Sequence, residues 1–454
     1  MTTMGLGTLR GAARRTLARR ASLAGRLGAA IAVVCVLGNP AAARGNDAVL
    51  VWNAIAVNVT SSQGPFVQAR LLSITQLAVF EAVNAITDQY EPYLGTVVAH
   101  PGASADAAAI AAAHAVLKNY LGTLPGVGQT LDDARAASLA AIRDGRAKTR
   151  GIAAGEAAAQ AMIMARLNDG SSPPQFYMPE SLDPGVWQLT PGCPPLGGVF
   201  LHWPNVTPFG IRSADRFILD PPPAITSRRF AKDYNEVKRV GGVGSTERPA
   251  DRALVAQFYA ASSPGMALNA AARQVSAAQR RSLSHNARAL ALLNMSINDS
   301  LIVSFATKYT HNYWRPETAI RAGDTDGNPR TAPDTTFAPF IATPCFPSYP
   351  SNHASGTYGG IELLERIYGA GRHAITLSNP AMPGVVLQYT KFKVIGSDVD
   401  DARVYGGIHY RFDQEDGARL GREVGGTVYR RNLQRDHRRD HDREEDCDDH
   451  HGWW

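Results

Sequence analysis

The stretch Arg280–Thr307, RRSLSHNARALALLNMSINDSLIVSFAT, gives the clearest indication of the fold. The stretch lacks the strict alternation of apolar and polar residues that marks a half-buried strand. Its pattern therefore predicts a helix. Proline-rich stretches at 171–226 and 329–350 interrupt the helical pattern, and a loop as long as 171–226 is usually functional or wraps the surface. Other helical runs occur at Ala69–Val83, Ala105–Leu117, Asp132–Arg143, Ile152–Leu167, Phe230–Lys238 and Ala250–Ala261. We therefore predict an all-α protein built of packed helical bundles.

Residues 1–43 have the organisation of a signal peptide. Six arginines and no acid precede the apolar run Leu27–Leu37, and the small residues Ala41–Ala43 follow it. We expect a secreted or periplasmic protein that is exported by either the general secretory pathway or the twin-arginine pathway. A membrane-anchoring helix is the alternative, although the run is short for a bilayer span. No later run of 18 apolar residues occurs, so we expect no membrane span in the mature chain.

The formal charge of +6 belongs to the leader, because removing its six arginines leaves a neutral chain. A nucleic-acid partner is therefore not expected. Residues 433–454 form a charged tail that we predict to be disordered, with metal binding by its histidines as the alternative. Three cysteines follow the leader, and Cys193–Cys345 is the plausible bridge, although spacing alone does not establish it.

Lys308-Tyr-Thr-His-Asn-Tyr-Trp-Arg315-Pro316 is the first of three clusters that suggest an anion site. Lys308 and Arg315 are two helical turns apart, so we expect both on one side of a helix that Pro316 ends. Two such cations are unfavourable unless an anion lies between them. A solvated basic helix face would give the same pattern.

The second cluster is Pro350-Ser351-Asn352-His353, at the start of a predicted helix. Helix N-termini offer free N–H groups to anions. Ser351 is a natural N-cap that can also donate its hydroxyl, and His353 can exchange protons near neutral pH. An ordinary capped helix with a surface histidine is the alternative.

The third cluster is Arg403-Val-Tyr-Gly-Gly-Ile-His409, with Asp413 four residues later. The guanidinium group of Arg403 is planar and can donate two parallel hydrogen bonds to an oxyanion. The carboxylate of Asp413 can approach the imidazole of His409. A core helix with a satisfied histidine is the alternative.

In this order and spacing, the three clusters resemble the vanadium-dependent haloperoxidases, including bacterial secreted members, and the related type-2 phosphatidic acid phosphatase superfamily. The resemblance extends over about residues 46–430. It implies two packed helix bundles with an anion site in a bundle core. The implied divisions are 1–43 as signal peptide, 44–225 as N-terminal helical scaffold with a proline-rich loop, 226–432 as catalytic bundle and 433–454 as tail.

The resemblance also implies a role for each matching residue. His409 would bind the metal of vanadate, and phosphate could occupy the same site. Lys308, His353 and His409 would be catalytic, with Lys308 polarising the bound peroxide and His353 acting as acid and base. The anion would be held by Lys308, Arg315, Ser351, Asn352, His353, Arg403 and His409, supported by Asp413 and Phe346. Two departures stand out: Asn352 replaces a usual Gly, and Ala402 a usual Ser.

The expected activity is oxidation of a halide by hydrogen peroxide to a hypohalous acid equivalent. Phe346 is the residue that the resemblance associates with chloroperoxidases at this position. One aromatic residue does not determine which halide is oxidised. The rival is an acid phosphatase that hydrolyses phosphate esters, in which His409 attacks phosphorus and forms a phosphohistidine. A non-catalytic anion-binding protein is the third alternative. The sequence does not specify an oligomeric state.

Overall fold

The computed structural model describes residues 47–436. The predicted signal peptide and most of the predicted tail, with Cys35 and Cys447, lie outside these residues. The helices within 47–436 are α1 (Ala48–Thr60), α2 (Pro65–Thr87), α3 (Ala105–Leu121), α4 (Val127–Ala140), α5 (Arg146–Ala165), α6 (Arg228–Val240), α7 (Ala250–Ala260), α8 (Pro264–Ala278), α9 (Leu283–His311), α10 (Pro316–Arg321), α11 (Asn352–Tyr368), α12 (Phe392–Val404) and α13 (Arg411–Arg431). The all-α prediction is confirmed.

Helix α9 is the central element of the fold and is buried along nearly its whole length. Ser282 caps its N-terminus, where the hydroxyl accepts the N–H of His285 at 3.3 Å. The helix ends at Asn312, whose φ of 47° lies in the left-handed region that asparagine tolerates. One side of α9 packs against α2, which belongs to a bundle with α1, α3 and α5. Another side packs against α11 and α13, so α9 joins the two predicted bundles.

Helices α11 and α13 lie unusually close together because glycines face the contact. A Cβ at Gly421 would lie 2.3 Å from the carbonyl oxygen of Ser355, so only glycine fits there. This close packing fixes the N-termini of the two helices relative to each other. His353 lies in the first turn of α11 and Asp413 in the first turn of α13.

A short antiparallel hairpin is the one sheet in the described part of the chain, and the sequence analysis did not predict it. Strand β1 (Ile375–Ser378) pairs with β2 (Val386–Tyr389), with Ile375 opposite Tyr389. The alternating burial of β1 is the pattern of a half-buried strand. Four residues give too short a pattern to stand out from the surrounding loop.

The proline-rich segment 171–226 wraps over the end of α9 instead of extending into solvent. The backbone N–H of Trp187 donates to the carbonyl of Asn312 at 2.8 Å. Cys193 and Cys345 form a disulfide with a Cα–Cα distance of 5.4 Å, which links the two proline-rich segments. The bridge named from the sequence is therefore present in the structure.

Residues 433–436, the start of the predicted tail, pack against the body of the protein. Leu433 is buried, and its carbonyl accepts the Nε–H of Arg288 at 2.6 Å. Arg435 forms an isolated bridge with Tyr90. The predicted tail boundary at 433 is thus too early for these four residues.

Two helices, Pro65–Thr87 and Leu283–His311, are long and apolar enough to cross a membrane. Within the described chain, 94% of each apolar window is buried against other elements. Core burial is therefore enough to explain their composition. The expected lack of a membrane span stays a prediction.

Asp299, in the middle of α9, anchors the proline-rich segment. Its carboxylate accepts three backbone N–H groups, from Phe209 at 2.7 Å, Gly210 at 2.6 Å and Ile211 at 3.0 Å. Burial nevertheless raises the pKa of Asp299 to about 6. In an unfolded chain an aspartate titrates near 3.9. Above pH ~6, Asp299 is ionised in the folded protein, and this buried charge lowers the free energy of unfolding. As the pH falls from about 6 to about 3.9, Asp299 becomes protonated in the folded protein before it does so in the unfolded chain, and the free energy of unfolding rises.

We expect the free energy of unfolding of the unmodified chain, relative to Asp299→Asn, to rise by about 2 kcal/mol between pH 7 and pH 4.5. Urea denaturation of both proteins at a series of pH values measures this difference. Asp183→Asn, at an exposed position, is the matched control and should show a flat difference. Parallel pH profiles for the unmodified chain and Asp299→Asn would contradict the assignment.

Candidate active site

Residues of the second and third clusters line one cavity of about 450 Å³, which we call the charged cavity. Its polar lining consists of Asn352, His353, Arg403 and His409. Arg315 lies directly behind this lining, with Nη1 3.0 Å from Nε2 of His409. The structure thus brings residues of all three clusters close together, although Lys308, Arg315 and Ser351 do not line the cavity. The role of each residue in binding and catalysis stays a prediction.

The turn between α12 and α13 positions His409. Gly407 has a φ of +82°, and a Cβ there would lie 2.2 Å from the carbonyl oxygen of Gly241. Only glycine combines this backbone conformation with this close approach. The turn brings His409 beside α13, whose first residue is Arg411.

His409 is held by a buried hydrogen-bond chain. Its Nδ1 lies 2.7 Å from Oδ2 of Asp413, and that same oxygen accepts the hydroxyl of Ser348 at 2.6 Å. Because Arg315 can only donate, Nε2 of His409 must be the acceptor and Nδ1 must carry the hydrogen. Burial, followed by the charge of Arg315, keeps the pKa of His409 well below its ordinary value. The ring is thus neutral, with its lone pair on the Nε2 side.

Asp413 is completely buried, and burial raises its pKa to about 7. Its other oxygen, Oδ1, has no hydrogen-bond partner among residues 47–436. The contact between Asp413 and His409 was expected from their spacing of four residues. His409 precedes α13, and Asp413 lies in the first turn of that helix.

Arg315 does not lie on the same helix as Lys308, so that expectation is wrong. Helix α9 ends at His311, and Arg315 is the N-cap of α10. The left-handed residue Asn312 ends the helix a turn earlier than Pro316 would. Arg315 is nevertheless fully buried, and its Nε and Nη1 donate to the carbonyls of Phe346 and Ile408, each at 2.9 Å. Its Nη2 has no acceptor among the described residues.

Lys308 is fully buried beside the charged cavity but does not line it. Its ammonium group donates to the carbonyls of Pro347 at 2.8 Å and Ser348 at 2.7 Å, and also to that of Pro350. These three bonds use every hydrogen of the ammonium group. In this structure Lys308 holds the loop that leads into α11, and its predicted contact with the anion stays a prediction.

The N-terminus of α11 faces the charged cavity, as the second cluster predicted. Ser351 caps the helix, and its Oγ accepts the N–H of Ala354 at 3.3 Å. The side chain of Asn352 accepts a hydrogen bond from Ser304, while its Nδ2 is buried without an acceptor in the described chain. Burial, followed by the charge of Arg403, keeps the pKa of His353 well below its ordinary value.

Arg403 comes from the last turn of α12 and is almost completely buried. Its Nη1 donates to the carbonyl of Tyr259 at 3.0 Å, whereas Nε lacks an acceptor within 47–436. Buried donors normally have partners, and an unsatisfied one costs about 1–3 kcal/mol. Three buried N–H donor groups are unsatisfied here, on Arg315, Asn352 and Arg403. This donor set suits a small oxyanion such as vanadate or phosphate.

The opposite wall of the charged cavity is apolar and aromatic. Phe346 lines it, with its ring centroid 5.3 Å from Nζ of Lys308 and 5.0 Å from Cζ of Arg315. Phe66 and Phe200 complete the wall, with ring centroids 4.7 Å apart. The N-terminal region, expected to be mainly scaffold, therefore supplies part of the site.

Sequence reasoning missed several supporting groups. Ser348 completes the chain to Asp413, and its place between Pro347 and Pro350, just before the second cluster, could have drawn attention to it. Ser304 orients the side chain of Asn352, and no sequence signal separates it from other serines of α9. The carbonyl of Tyr259 is a backbone group that every residue has, so the residue type at position 259 cannot reveal its role.

Residues 288–436 match the family model of the VCPO second helical-bundle domain. All seven predicted anion ligands lie inside this match. The fold is similar to that of a bacterial vanadium-dependent iodoperoxidase, with a TM-score of 0.74 at 21% identity over 86% of this chain and 98% of that one. It is also similar to a bacterial vanadium-dependent chloroperoxidase in its apo and holo forms, each with a TM-score of 0.65 at 16% identity. These matches cover 81% and 82% of this chain, and 94% and 93% of the chloroperoxidase chains.

No curated protein matches the chain by sequence. The fold is that of a helical-bundle protein, and two histidines and an arginine line its charged cavity. Residues 288–436 therefore match a domain of the kind that the motifs predicted, and the fold of the described chain is that of the vanadium-dependent haloperoxidases named above.

Asn352→Asp tests whether the buried amide N–H faces an anion. The change keeps the size of the side chain but replaces a donor with a carboxylate, which would repel an anion. We expect vanadate and phosphate affinity to fall at least about tenfold. Isothermal titration calorimetry measures this loss, with the exposed Asn168→Asp as matched control. Unchanged affinity in Asn352→Asp would mean that the anion binds elsewhere.

Proposed function

We propose that this chain is a vanadium-dependent haloperoxidase that oxidises a halide with hydrogen peroxide to a hypohalous acid equivalent. The observation that carries the proposal is the set of three unsatisfied buried donors, on Arg315, Asn352 and Arg403, around one cavity. A multiply charged oxyanion would satisfy all three at once. It would also offset the cationic charge that burial disfavours.

The residues of the charged cavity fit vanadate. When bound, vanadate would supply a Lewis acid that makes peroxide electrophilic toward a halide. His409 would hold it through Nε2, in place of the present hydrogen bond from Arg315. Asp413 and Ser348 support this by fixing the ring orientation and keeping the hydrogen on Nδ1.

His353 is the proposed acid and base. It lines the charged cavity, and hydrogen bonds to the backbone of Tyr259 and Ser262 hold it in place. Its low pKa leaves the ring neutral and able to take a proton from hydrogen peroxide as the peroxide binds. The same ring can return the proton to the oxygen that leaves with the halogen.

The aromatic wall supports a reaction with a second, weakly hydrated reactant. Phe66, Phe200 and Phe346 exclude water from one side of the charged cavity. A large halide ion loses less hydration energy than a small one when it moves from water to such a surface.

Phosphate shares the shape and charge of vanadate, so the same donors also suit the phosphatase alternative.

Purified protein loaded with vanadate, supplied with hydrogen peroxide and chloride, bromide or iodide in turn, tests the activity directly. We expect vanadate-dependent halogenation of a phenol with at least one halide and little hydrolysis of p-nitrophenyl phosphate. His409→Ala should lose both vanadate affinity and halogenation, because the metal ligand is gone, whereas the exposed His100→Ala should retain both. Hydrolysis of the ester without halogenation would favour the phosphatase.

His353→Ala separates proton transfer from anion binding. We expect vanadate affinity to change by less than about tenfold, while kcat for halogenation falls by about 10²–10⁴. Equilibrium binding and steady-state kinetics on one preparation give the two values. A variant with unchanged kcat would exclude His353 as the acid and base, and loss of vanadate binding alone would make it a ligand instead.

A further inference from the structure

A second cavity of about 500 Å³ lies away from the residues assigned above, between α1, α8 and strand β1. Its walls come from residues 54–61, 266–274 and 376–381, and its inner end from Phe258, Ala261 and Ser262. No acidic side chain among residues 47–436 lines it. Arg273 contributes its one cationic group, so we call it the Arg273 cavity.

Arg273 is a partly buried cation without a counter-ion. Its Nη1 donates to Oδ1 of Asn53 at 2.6 Å, and no salt bridge reaches it in the described chain. Burial lowers the pKa of Arg273 to about 10, with no neighbouring charge contributing. A buried guanidinium is normally paired with a carboxylate or another anion, because desolvating an unpaired charge is costly. The protein leaves this position unpaired.

The guanidinium is held in place by neutral amides. Asn53 donates to Asn269 at 2.8 Å, and Asn269 donates to Asn294 at 2.9 Å. All three asparagines are buried, so Arg273 stands at the end of a fixed chain of hydrogen bonds. This chain orients the cation without neutralising it. The Nε and Nη2 groups have no acceptor within residues 47–436, and the Arg273 side chain lines the cavity, which is the arrangement of a preorganised anion site.

The remainder of the Arg273 cavity favours an apolar body on the ligand. Val57, Phe258, Met266 and Leu377 line it, together with several alanines. The hairpin forms one wall and is fastened to α8, where Gln274 exchanges two hydrogen bonds with the backbone of Thr376, at 2.8 and 2.9 Å. Inorganic phosphate would satisfy the cation but leave this apolar surface uncovered.

We propose that the Arg273 cavity binds a small organic acid, with its carboxylate on Nε and Nη2 of Arg273 and a compact apolar body against Val57, Phe258 and Leu377. Ser262 separates this site from the charged cavity, because it lines the Arg273 cavity while its backbone hydrogen-bonds His353. The proposal does not depend on halide oxidation.

Benzoate is the probe, and calorimetric titration of the full chain loaded with vanadate is the measurement. Vanadate occupies the charged cavity, so its arginines do not contribute. We expect saturable binding of benzoate, and binding of the neutral amide benzamide that is weaker by tenfold or more. Arg273→Gln should weaken benzoate binding by on the order of tenfold or more, as the loss of a charged hydrogen-bonding group does. The exposed Arg143→Gln is the matched control and should bind as the unmodified chain does.

Ala270→Phe provides a second test, since it fills the cavity while leaving Arg273 in place. It should also abolish benzoate binding, and circular dichroism should show that both variants fold. Three results would overturn the proposal: no benzoate binding by the unmodified chain, equal binding by Arg273→Gln, or displacement of benzoate by phosphate at similar concentration. The last result would indicate a general anion site with no selection for an organic acid.

Discussion

The site depends on positive charge that the protein buries without neutralising. Lys308, Arg315 and Arg403 are all buried in this part of the protein. Within the described residues, Asp413 is the carboxylate that hydrogen-bonds His409. Carbonyl oxygens take up part of the donor capacity, including all of that of Lys308. Donor groups of Arg315, Asn352 and Arg403 are left without an acceptor in the described chain, and Asn352 and Arg403 line the charged cavity. An anion there removes an electrostatic cost that the fold already bears.

The helical architecture makes this possible because it delivers each charge from a different rigid element. Helix α9 supplies Lys308, the cap of α10 supplies Arg315, the last turn of α12 supplies Arg403, and α11 presents its N-terminus. Glycines at 407 and 421 allow the backbones to approach closely enough for these ends to meet. A loop-built site would need to order itself for each binding event, whereas this one is ordered by the core.

Sequence reasoning was most successful where chemistry depends on spacing along the chain. The cap of α11 and the contact between His409 and Asp413 follow from local patterns, and Cys193–Cys345 was the plausible bridge although spacing alone did not establish it. It failed where tertiary contacts decide. Asn312 ends α9 before Arg315, the four-residue strands are too short to show a period, and Phe66 and Phe200 reach the charged cavity from a region that seemed to be scaffold. Ser304 and the carbonyl of Tyr259 acquire their roles only through packing.

The wall formed by Phe66 and Phe200 has a consequence for how such a protein diversifies. These rings come from outside residues 288–436, whereas every charged group of the cavity comes from inside that span. The aromatic wall is thus encoded partly outside the stretch that carries the cationic side chains, because Phe66 and Phe200 precede that stretch and Phe346 lies within it. Substitutions at Phe66 or Phe200 can change the shape of the cavity while every charged side chain stays in place.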